Sequence, residues 1–287
     1  MRADAPDRSG TAFDLLVILD FEATCQEGAP PDPQEVIEFP SVLVSLRERA
    51  VIAEFESFVR PVHHPRLTPF CSQLTSITQA DVEAAPTFPE VLAAHQRWLE
   101  GERLLGPNAD PFAFVTCGDW DLVTMLPAQC AAADIDITTL PAAYRRWINI
   151  KQLFAAVTNK RKGFGMPTML RTLGLTLEGR HHRGIDDCRN IAKIAVALRD
   201  RGARFELTST LPASRYPPLP LTLLLDDDAR AVVLTKRAMP TLLGLASGEY
   251  RRQIVHVTTE DGARVTDEAL LELAPGTTLL VTPKRRK

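Results

Sequence analysis

The chain has 287 residues, of which 45% are hydrophobic and 24% charged, and its formal net charge at pH 7 is −3. No apolar run approaches the roughly 20 residues of a membrane-spanning helix, and the polar N-terminus lacks the apolar core of a secretory signal. Five cysteines form no CxxC pair, which disfavours a disulfide framework or a structural zinc site. These features predict a globular, cytoplasmic protein with no membrane partner.

The N-terminal half begins with strands and continues with helices. Residues 1–10 are expected to form a disordered tail, and three β-type segments follow: FDLLVILDFEAT, EVIEFPSVLVSL and VIAEFESFVRP. The first is almost continuously apolar, as in a strand covered on both faces. The polar turn RER at 47–49 predicts that the second and third form an antiparallel hairpin. Thr87 is the expected N-cap of a helix that reaches Glu100.

A short buried strand, PFAFVTC, comes next, and it is followed by helical periodicity. DWDLVTMLPAQCAAA predicts a helix with a possible kink at Pro127, and three further helices are predicted in WINIKQLFAAV, PTMLRTLGL and DDCRNIAKIAVALRDRG. The last has Ile191, Ile194, Ala195 and Leu198 on one face. Strands followed by strand–helix alternation predict an α/β domain over residues 11–208, with a mixed sheet flanked by helices.

A Pro- and Ser-rich linker is predicted at 209–219, and a small α+β module at 220–283. Its expected strands are LTLLLDDD, ARAVVLT, QIVHVTTEDG, ARVT, ALLELA and GTTLLVTP, with one helix over Met239 to Tyr250. This pattern resembles the β-grasp fold of ubiquitin-like and CIDE-N modules. Since such modules usually bind proteins, the resemblance implies an unknown protein partner. Residues 284–287 form a basic tail.

Charge is distributed unevenly along the chain. Between Arg145 and Arg204 there are 14 Lys/Arg and 4 Asp/Glu, a local net charge of +10, so the remainder carries −13. Such asymmetry can draw a polyanion to one face of a mildly acidic protein. The alternative is that exposed helix faces happen to be basic.

Four acids and one histidine lie where chemistry is expected. Asp20 and Glu22 end the first strand, and their side chains point to the same side because they are two residues apart. Asp121 begins a helix directly after a buried strand. Asp187 begins the most periodic helix, with His182 five residues before it. Taken singly, the helix-start acids could simply complement helix dipoles, and a loop histidine is usually solvated.

Their conjunction favours a metal site. Clustered carboxylates repel one another, and Mg²⁺ or Mn²⁺ bound through carboxylate oxygens is the natural complement. Two such ions can clamp the attacking and leaving oxygens of a phosphodiester. A histidine that titrates near neutrality can deprotonate the attacking water.

The order DxE, D, HxxxxD resembles the DEDDh branch of the 3′–5′ exonucleases. Around it, VIEFPSVLV, FCSQLTSITQADV, GDWD, RWINIKQLF and GRHHRGIDDCRNIAKIA are similar to the exoribonuclease subfamily that trims small interfering RNAs, histone mRNA ends and ribosomal RNA 3′ ends. The resemblance covers residues 13 to 206. It implies a ribonuclease H-like fold with a mixed five-stranded sheet, and two-metal hydrolysis of RNA 3′ ends to nucleoside 5′-monophosphates.

Roles follow position by position. The resemblance implies His182 as general base and four ligands for two Mg²⁺ ions, which Mn²⁺ would replace: Asp20, Glu22, Asp121 and Asp187. The third acid could instead be Asp119, but the spacing to LVTML matches the family at the other aspartate of GDWD. His181 is the alternative base, but only His182 precedes a residue and a glycine as in the family. Asp186 is then expected to cap its helix.

Further residues are candidate contacts with the substrate, some from the resemblance and some, in the basic loop, from their charge. The candidates are Phe21, Ala23, Thr24, Leu74, Thr75, Trp120, Lys160, Arg161 and Lys162. Strand alternation nevertheless directs Phe21 into packing, and Trp120 could either stack on a base or pack against the helix start. The basic loop could guide the nucleic-acid backbone or merely be solvated. Where the family commonly has glycine, this chain has Ser76.

The predicted function is a two-metal 3′–5′ exoribonuclease. The same chemistry on single-stranded DNA is an alternative, because no residue here is diagnostic for a 2′-hydroxyl. A nucleic-acid-binding adaptor with weak activity and a phosphodiesterase for small nucleotides are the others.

Overall fold

The computed structural model describes residues 13–160, 164–212, 215–235 and 237–284. The predicted disordered tail at 1–10 and all but the first residue of the predicted basic tail lie outside these ranges. The chain divides into two compact units, one of Met1–Ala133 with Ala143–Thr210 and the other of Asp134–Ala142 with Leu211–Lys287. Over the described ranges, none of the helices has the length and apolar character that crossing a membrane requires.

The first unit is a mixed sheet with helices around it. Its strands are β1 (Leu15–Leu19), β2 (Glu22–Ala23), β3 (Val36–Ser45), β4 (Ala50–Phe58), β5 (Phe112–Thr116), β6 (Arg146–Asn149) and β7 (Ser209–Thr210). Its helices are α1 (Pro69–Thr75), α2 (Gln79–Glu83), α3 (Phe88–Gly101), α4 (Leu126–Ala132), α5 (Ile150–Thr158), α6 (Met166–Leu173) and α7 (Gly184–Arg199).

The strand order is β2-β3-β1-β5-β6-β7, and β4, which is outside this path, also pairs with β3. β1, β5 and β6 run parallel, whereas β3, β4 and β7 are antiparallel to their neighbours. Within the described residues the sheet of the first unit thus has seven strands, not the expected five. The discrepancy arises because β2 and β7 have only two residues each, too few to show an alternating pattern. β7 also extends the sheet two residues past the predicted boundary at 208.

Burial explains the apolar run of β1. Leu16 to Leu19 are fully buried, since β3 and β5 flank the strand and α7 packs on the sheet. The four apolar positions predicted on one face of α7 are all buried in this core. The β3–β4 hairpin and its turn at 47–49 are confirmed. Asp20, which directly follows β1, is therefore attached to a strand that cannot shift easily.

Local signals explain most of the helices, with two corrections. Thr87 caps α3 in a reciprocal capping box with Glu90, as the sequence predicts. The DWDLVTML segment forms a π-helical turn over Asp121–Met125, and Pro127 lies in the first turn of α4, where its missing N–H costs nothing. WIN of WINIKQLFAAV was expected to be helical but forms β6, because Trp147 and its neighbours are buried between β5 and β7.

The second unit is a small mixed sheet with two helices. Its elements are β8 (Leu219–Leu225), β9 (Asp228–Leu234), α8 (Met239–Tyr250), β10 (Ile254–Thr259), α9 (Asp267–Glu272) and β11 (Thr278–Pro283). The strand order is β10-β11-β8-β9. The two central strands, β8 and β11, are the first and last of the unit along the chain and run parallel, as in a β-grasp fold. The first four residues of ALLELA, expected as a strand, lie in α9 because Thr266 caps a helix there. ARVT contributes only an isolated bridge at Arg264.

Candidate active site

Two acids lie at the carboxyl end of the central strand. Asp20 directly follows β1, and Glu22 begins β2 after a single intervening residue. Ligand oxygens of Asp20, Glu22 and Asp187 all lie within 4.8 Å of one another. Acids from the strand end and from the first turn of α7 thus meet, although 165 residues separate Glu22 from Asp187 in the sequence. This meeting point is the core of the site.

Asp121 joins this group through the backbone. It opens the π-helical turn after β5, is 4% exposed, and its Oδ1 accepts the Phe21 N–H at 2.9 Å. Asp119 has a different environment, because its Oδ1 accepts hydrogen bonds from Trp147 Nε1 and Ser209 Oγ, both at 2.9 Å. Of the two aspartates in GDWD, Asp121 therefore faces the other acids, and Asp119 ties β6 to β7.

The histidine loop approaches Asp187 through two neighbouring residues. The His182 backbone N–H donates to Asp187 Oδ2 at 2.9 Å, while the His181 ring nitrogen Nδ1 lies 3.0 Å from the same oxygen. The two imidazoles stack with their centroids 3.9 Å apart. His182 has a positive φ of 69° and an exposed side chain. Asp186 does not cap α7 but accepts the Arg180 N–H.

In the sequence, His182 is the histidine that lies five residues before Asp187. In the structure the side chain that reaches Asp187 is that of His181. From the sequence alone either histidine of the HH pair could direct its ring at Asp187, and the loop conformation decides which one does. Both rings line the same cavity as the acids.

Burial and mutual repulsion set the charge state of the acids. Burial, followed by the charge of Asp121, raises the pKa of Asp20 well above its ordinary value. Burial, followed by Glu38, raises the pKa of Glu22 to about 9. Burial also raises the pKa of Asp121 to about 6 and that of Asp187. Buried carboxylates of this kind are stabilised by cations, and oxygen-only ligands are those that hard divalent ions prefer, so the donor set fits such ions.

The acids lie in a cavity of about 430 Å³. Among the predicted substrate contacts, Phe21, Ala23, Leu74 and Trp120 line it. Trp120 is 41% exposed. Phe21 is almost fully buried and packs edge-to-face on Phe39, with centroids 4.7 Å apart, as strand alternation predicts.

Other predicted contacts lie elsewhere. The Thr24 hydroxyl accepts the Glu35 N–H, and the Thr75 hydroxyl bonds within the end of α1. Neither residue lines the cavity, nor does Lys160, whose ammonium lies 5.9 Å from the Phe164 ring centroid. Arg161 and Lys162 lie outside the described residues.

Two residues near the acids were not singled out from the sequence. Lys151, in the first turn of α5, lines the cavity, and its positive charge opposes the rise in the pKa of Asp121. The signal for it was a lysine directly after the strand-to-helix junction at Asn149, which caps α5. Glu38, in β3, is fully buried beside the acids, and the only hint was that it is the one charged residue of this strand.

Comparison with known proteins places this geometry in a wider group. Residues 17–195 match the Exonuclease family (RNase_T). The human protein named ERI1 exoribonuclease 3 is 41% identical over 197 residues, which are 69% of this chain and 57% of that protein. The aligned region thus spans little more than half the length of this curated relative.

Two solved structures are also similar. One, the nuclease domain of 3′hExo, a DEDDh family member bound to rAMP, is 35% identical with a TM-score of 0.66, over 70% of this chain and 98% of that one. The other concerns 3′-end-specific recognition of the histone mRNA stem-loop by 3′-exonuclease. It is 31% identical with a TM-score of 0.65, over 77% of this chain and 91% of that one.

Proposed function

The chain belongs to the Exonuclease family that it matches over residues 17–195, and we propose that it is a 3′–5′ exoribonuclease releasing nucleoside 5′-monophosphates from RNA 3′ ends. The observation that carries the proposal is the meeting of acids from three separate elements, Asp20 with Glu22, Asp121 and Asp187, in one cavity with His182. Relatives are exoribonucleases, and one was solved with rAMP.

DEDDh exonucleases depend on divalent metal ions. In this chain the ions would be two Mg²⁺, with Mn²⁺ as a substitute, held by Asp20, Glu22, Asp121 and Asp187. When bound, they supply positive charge to the attacking and leaving oxygens of the phosphodiester. The raised pKa values of the acids support this assignment, because a neighbouring cation would stabilise the charged form of each carboxylate.

His182 is proposed to accept the proton of the attacking water. Burial, followed by the neighbouring His181, lowers the pKa of His182, and only Asp187 opposes this shift. The imidazole is therefore neutral at physiological pH and able to take up a proton. Its exposed position in the cavity wall leaves the ring accessible to water and substrate.

The terminal nucleotide is proposed to lie against the apolar lining of the cavity. Phe21, Ala23, Leu74 and Trp120 line the cavity, and Trp120, which is 41% exposed, is accessible enough to stack on a base. Contacts from Thr24, Thr75 and the basic loop from Lys160 to Lys162 stay predictions, as do a protein partner of the C-terminal module and a cytoplasmic location.

The decisive test is the digestion of matched 5′-labelled RNA and DNA oligonucleotides with Mg²⁺ or Mn²⁺, and mass spectrometry of the products. We expect stepwise shortening of RNA, nucleoside 5′-monophosphates as products, and loss of activity in Asp20→Ala. Asp200→Ala is the matched control, because Asp200 forms an exposed ion pair with Arg49 at the other end of α7. No metal-dependent shortening, or an unaffected Asp20→Ala variant, would refute the enzyme.

The same digestion separates the alternatives. Faster loss of DNA than of RNA would indicate a single-stranded DNA exonuclease. Indifference to chain length would indicate a phosphodiesterase for small nucleotides. Binding of RNA without hydrolysis would indicate an adaptor.

A further inference from the structure

A fifth carboxylate lies beside the four acids. Glu38 occupies β3 opposite Glu22 in the sheet register, and it is fully buried. A buried carboxylate without partners is costly, so a side chain of this kind needs an explanation. It does not belong to the group of acids whose oxygens converge at Asp20. Its two oxygens instead accept hydrogen bonds from two different backbone N–H groups.

Those partners are at the start of α7. Glu38 Oε2 accepts the Gly184 N–H at 3.0 Å, Oε1 accepts the Ile185 N–H at 3.2 Å, and Arg183 Nε lies 3.5 Å from Oε1. Arg183, the N-cap residue of α7, provides no side-chain cap. The first N–H groups of a helix have no partner inside the helix, so a strand carboxylate 146 residues away supplies the cap instead.

The first turn of α7 also lies in close contact with the end of β1. A Cβ on Gly184 would lie 2.8 Å from the Asp20 carbonyl oxygen and 2.8 Å from Pro40 Cγ, closer than side chains tolerate. Glycine thus allows the helix to begin in direct contact with the end of β1. Asp187 lies in this first turn and accepts the His182 N–H. The position of one helical turn therefore sets both Asp187 and His182 relative to Asp20.

We propose that Glu38 is a positioning residue that anchors the first turn of α7, so that Asp187 and His182 meet the acids of the strand end. The inference rests on the proposed nuclease function of the site. A role as a further metal ligand is less consistent with the contacts, because two backbone N–H groups and a guanidinium already engage its oxygens. Glu38 thus acts through the backbone of α7, not on the substrate.

The test compares Glu38→Met and Glu38→Gln with the full-length wild type. The first removes both acceptors at similar size, and the second retains one acceptor oxygen. Glu54→Gln is the matched control, because Glu54 also joins β4 to α7, in a two-pronged ion pair with Arg189 beyond the first turn. Three quantities are measured: kcat and KM on single-stranded RNA, Mn²⁺ affinity by calorimetry, and hydrogen exchange of the 180–190 segment without metal.

For Glu38→Met we expect kcat to fall about 100-fold with KM within about twofold, since small displacements of reacting groups cost rate rather than binding. Mn²⁺ affinity should fall about 10-fold, and exchange at the start of α7 should accelerate. Glu38→Gln should lie between Glu38→Met and wild type in all three, and Glu54→Gln should match wild type.

Unchanged exchange and Mn²⁺ affinity in the Glu38 variants would overturn the inference, and so would an equal loss of kcat in Glu54→Gln. If Glu38→Met does not fold, the same criteria apply to Glu38→Gln. A wild type that leaves RNA intact would refute the nuclease function, while exchange and Mn²⁺ affinity would still decide the role of Glu38.

Discussion

Acidification below pH 6.5 should weaken the first unit through His95, a histidine in the middle of α3. The side chain is fully buried, its Nδ1 lies 2.6 Å from the Tyr144 hydroxyl, and its Nε2 lies 2.9 Å from Ser41 Oγ. Its ring also packs against Phe39 and Phe114. Burial in this aromatic cluster lowers the pKa of His95 to about 3.

The sign follows from proton uptake. The unfolded chain binds a proton on His95 below its ordinary pKa of 6.5, whereas the folded protein does so only near 3. His95 therefore does not reduce the free energy of unfolding above pH 6.5, and it reduces that free energy progressively as the pH falls from 6.5 toward 3. At about 1.4 kcal/mol per pH unit, the loss at pH 4.5 is about 3 kcal/mol. Glu22 and the other site acids act in the opposite direction, so only a comparison with a variant isolates His95.

The assay is urea unfolding of wild type and His95→Gln at several pH values, followed by tryptophan fluorescence. All three tryptophans of the chain, Trp98, Trp120 and Trp147, lie in the first unit, so the signal reports that unit alone. We expect the variant to be less stable at pH 7 and the gap to close by about 3 kcal/mol at pH 4.5. Parallel pH profiles would refute the reasoning, because they would mean that the folded and unfolded states protonate His95 alike.

Three further outcomes are expected. Asp20→Asn should raise the melting temperature in chelator, because it removes a charge that its neighbours repel. It should also abolish the stabilisation of about 3 kcal/mol that wild type gains when the Mg²⁺ concentration is about 100 times Kd, which fluorescence melts with and without Mg²⁺ would measure. Trp120→Ala should raise KM for RNA about 10-fold at nearly constant kcat, and an unchanged KM would exclude base stacking. Ser76→Gly should raise the free energy of unfolding by about 1 kcal/mol, since Ser76 has a φ of 62° at the end of α1; a lower urea midpoint would contradict this.

The parts of the site that were predictable are those with local signals. The apolar run of β1 and the periodicity of α7 mark where each element ends and begins, so Asp20, Glu22 and Asp187 could be located before any coordinates. The same logic found Asp121 after β5. The π-helical turn that carries it was not predictable, because its sequence is equally compatible with an α-helix.

Contacts between distant segments carried no such signal. Glu38 meets Gly184 across 146 residues, and only the registers of β3 and α7 bring them together. His181 reaches Asp187 because the loop places a residue of positive φ at His182, a conformation that nothing in HHRG dictates. The helical reading of WIN failed for a related reason, since burial between two strands outweighed the periodicity of the following helix.

The four acids differ in how far hydrogen bonds offset the cost of burying their charge. Asp121 accepts the Phe21 N–H, which joins the end of β1 to the π-helical turn without any ion, and Asp187 accepts the His182 N–H, which holds the histidine loop to the start of α7. Burial raises the pKa of Asp121 only to about 6, because the Phe21 N–H offsets part of the cost, whereas the pKa of Glu22 reaches about 9. Burial, followed by the charges of neighbouring acids, therefore disfavours the charged form most at Asp20 and Glu22. A divalent ion held by Asp20 and Glu22 would offset more of this cost than one held by Asp121 alone, so without metal we expect the first unit to stay folded while the acids at the end of β1 take up protons.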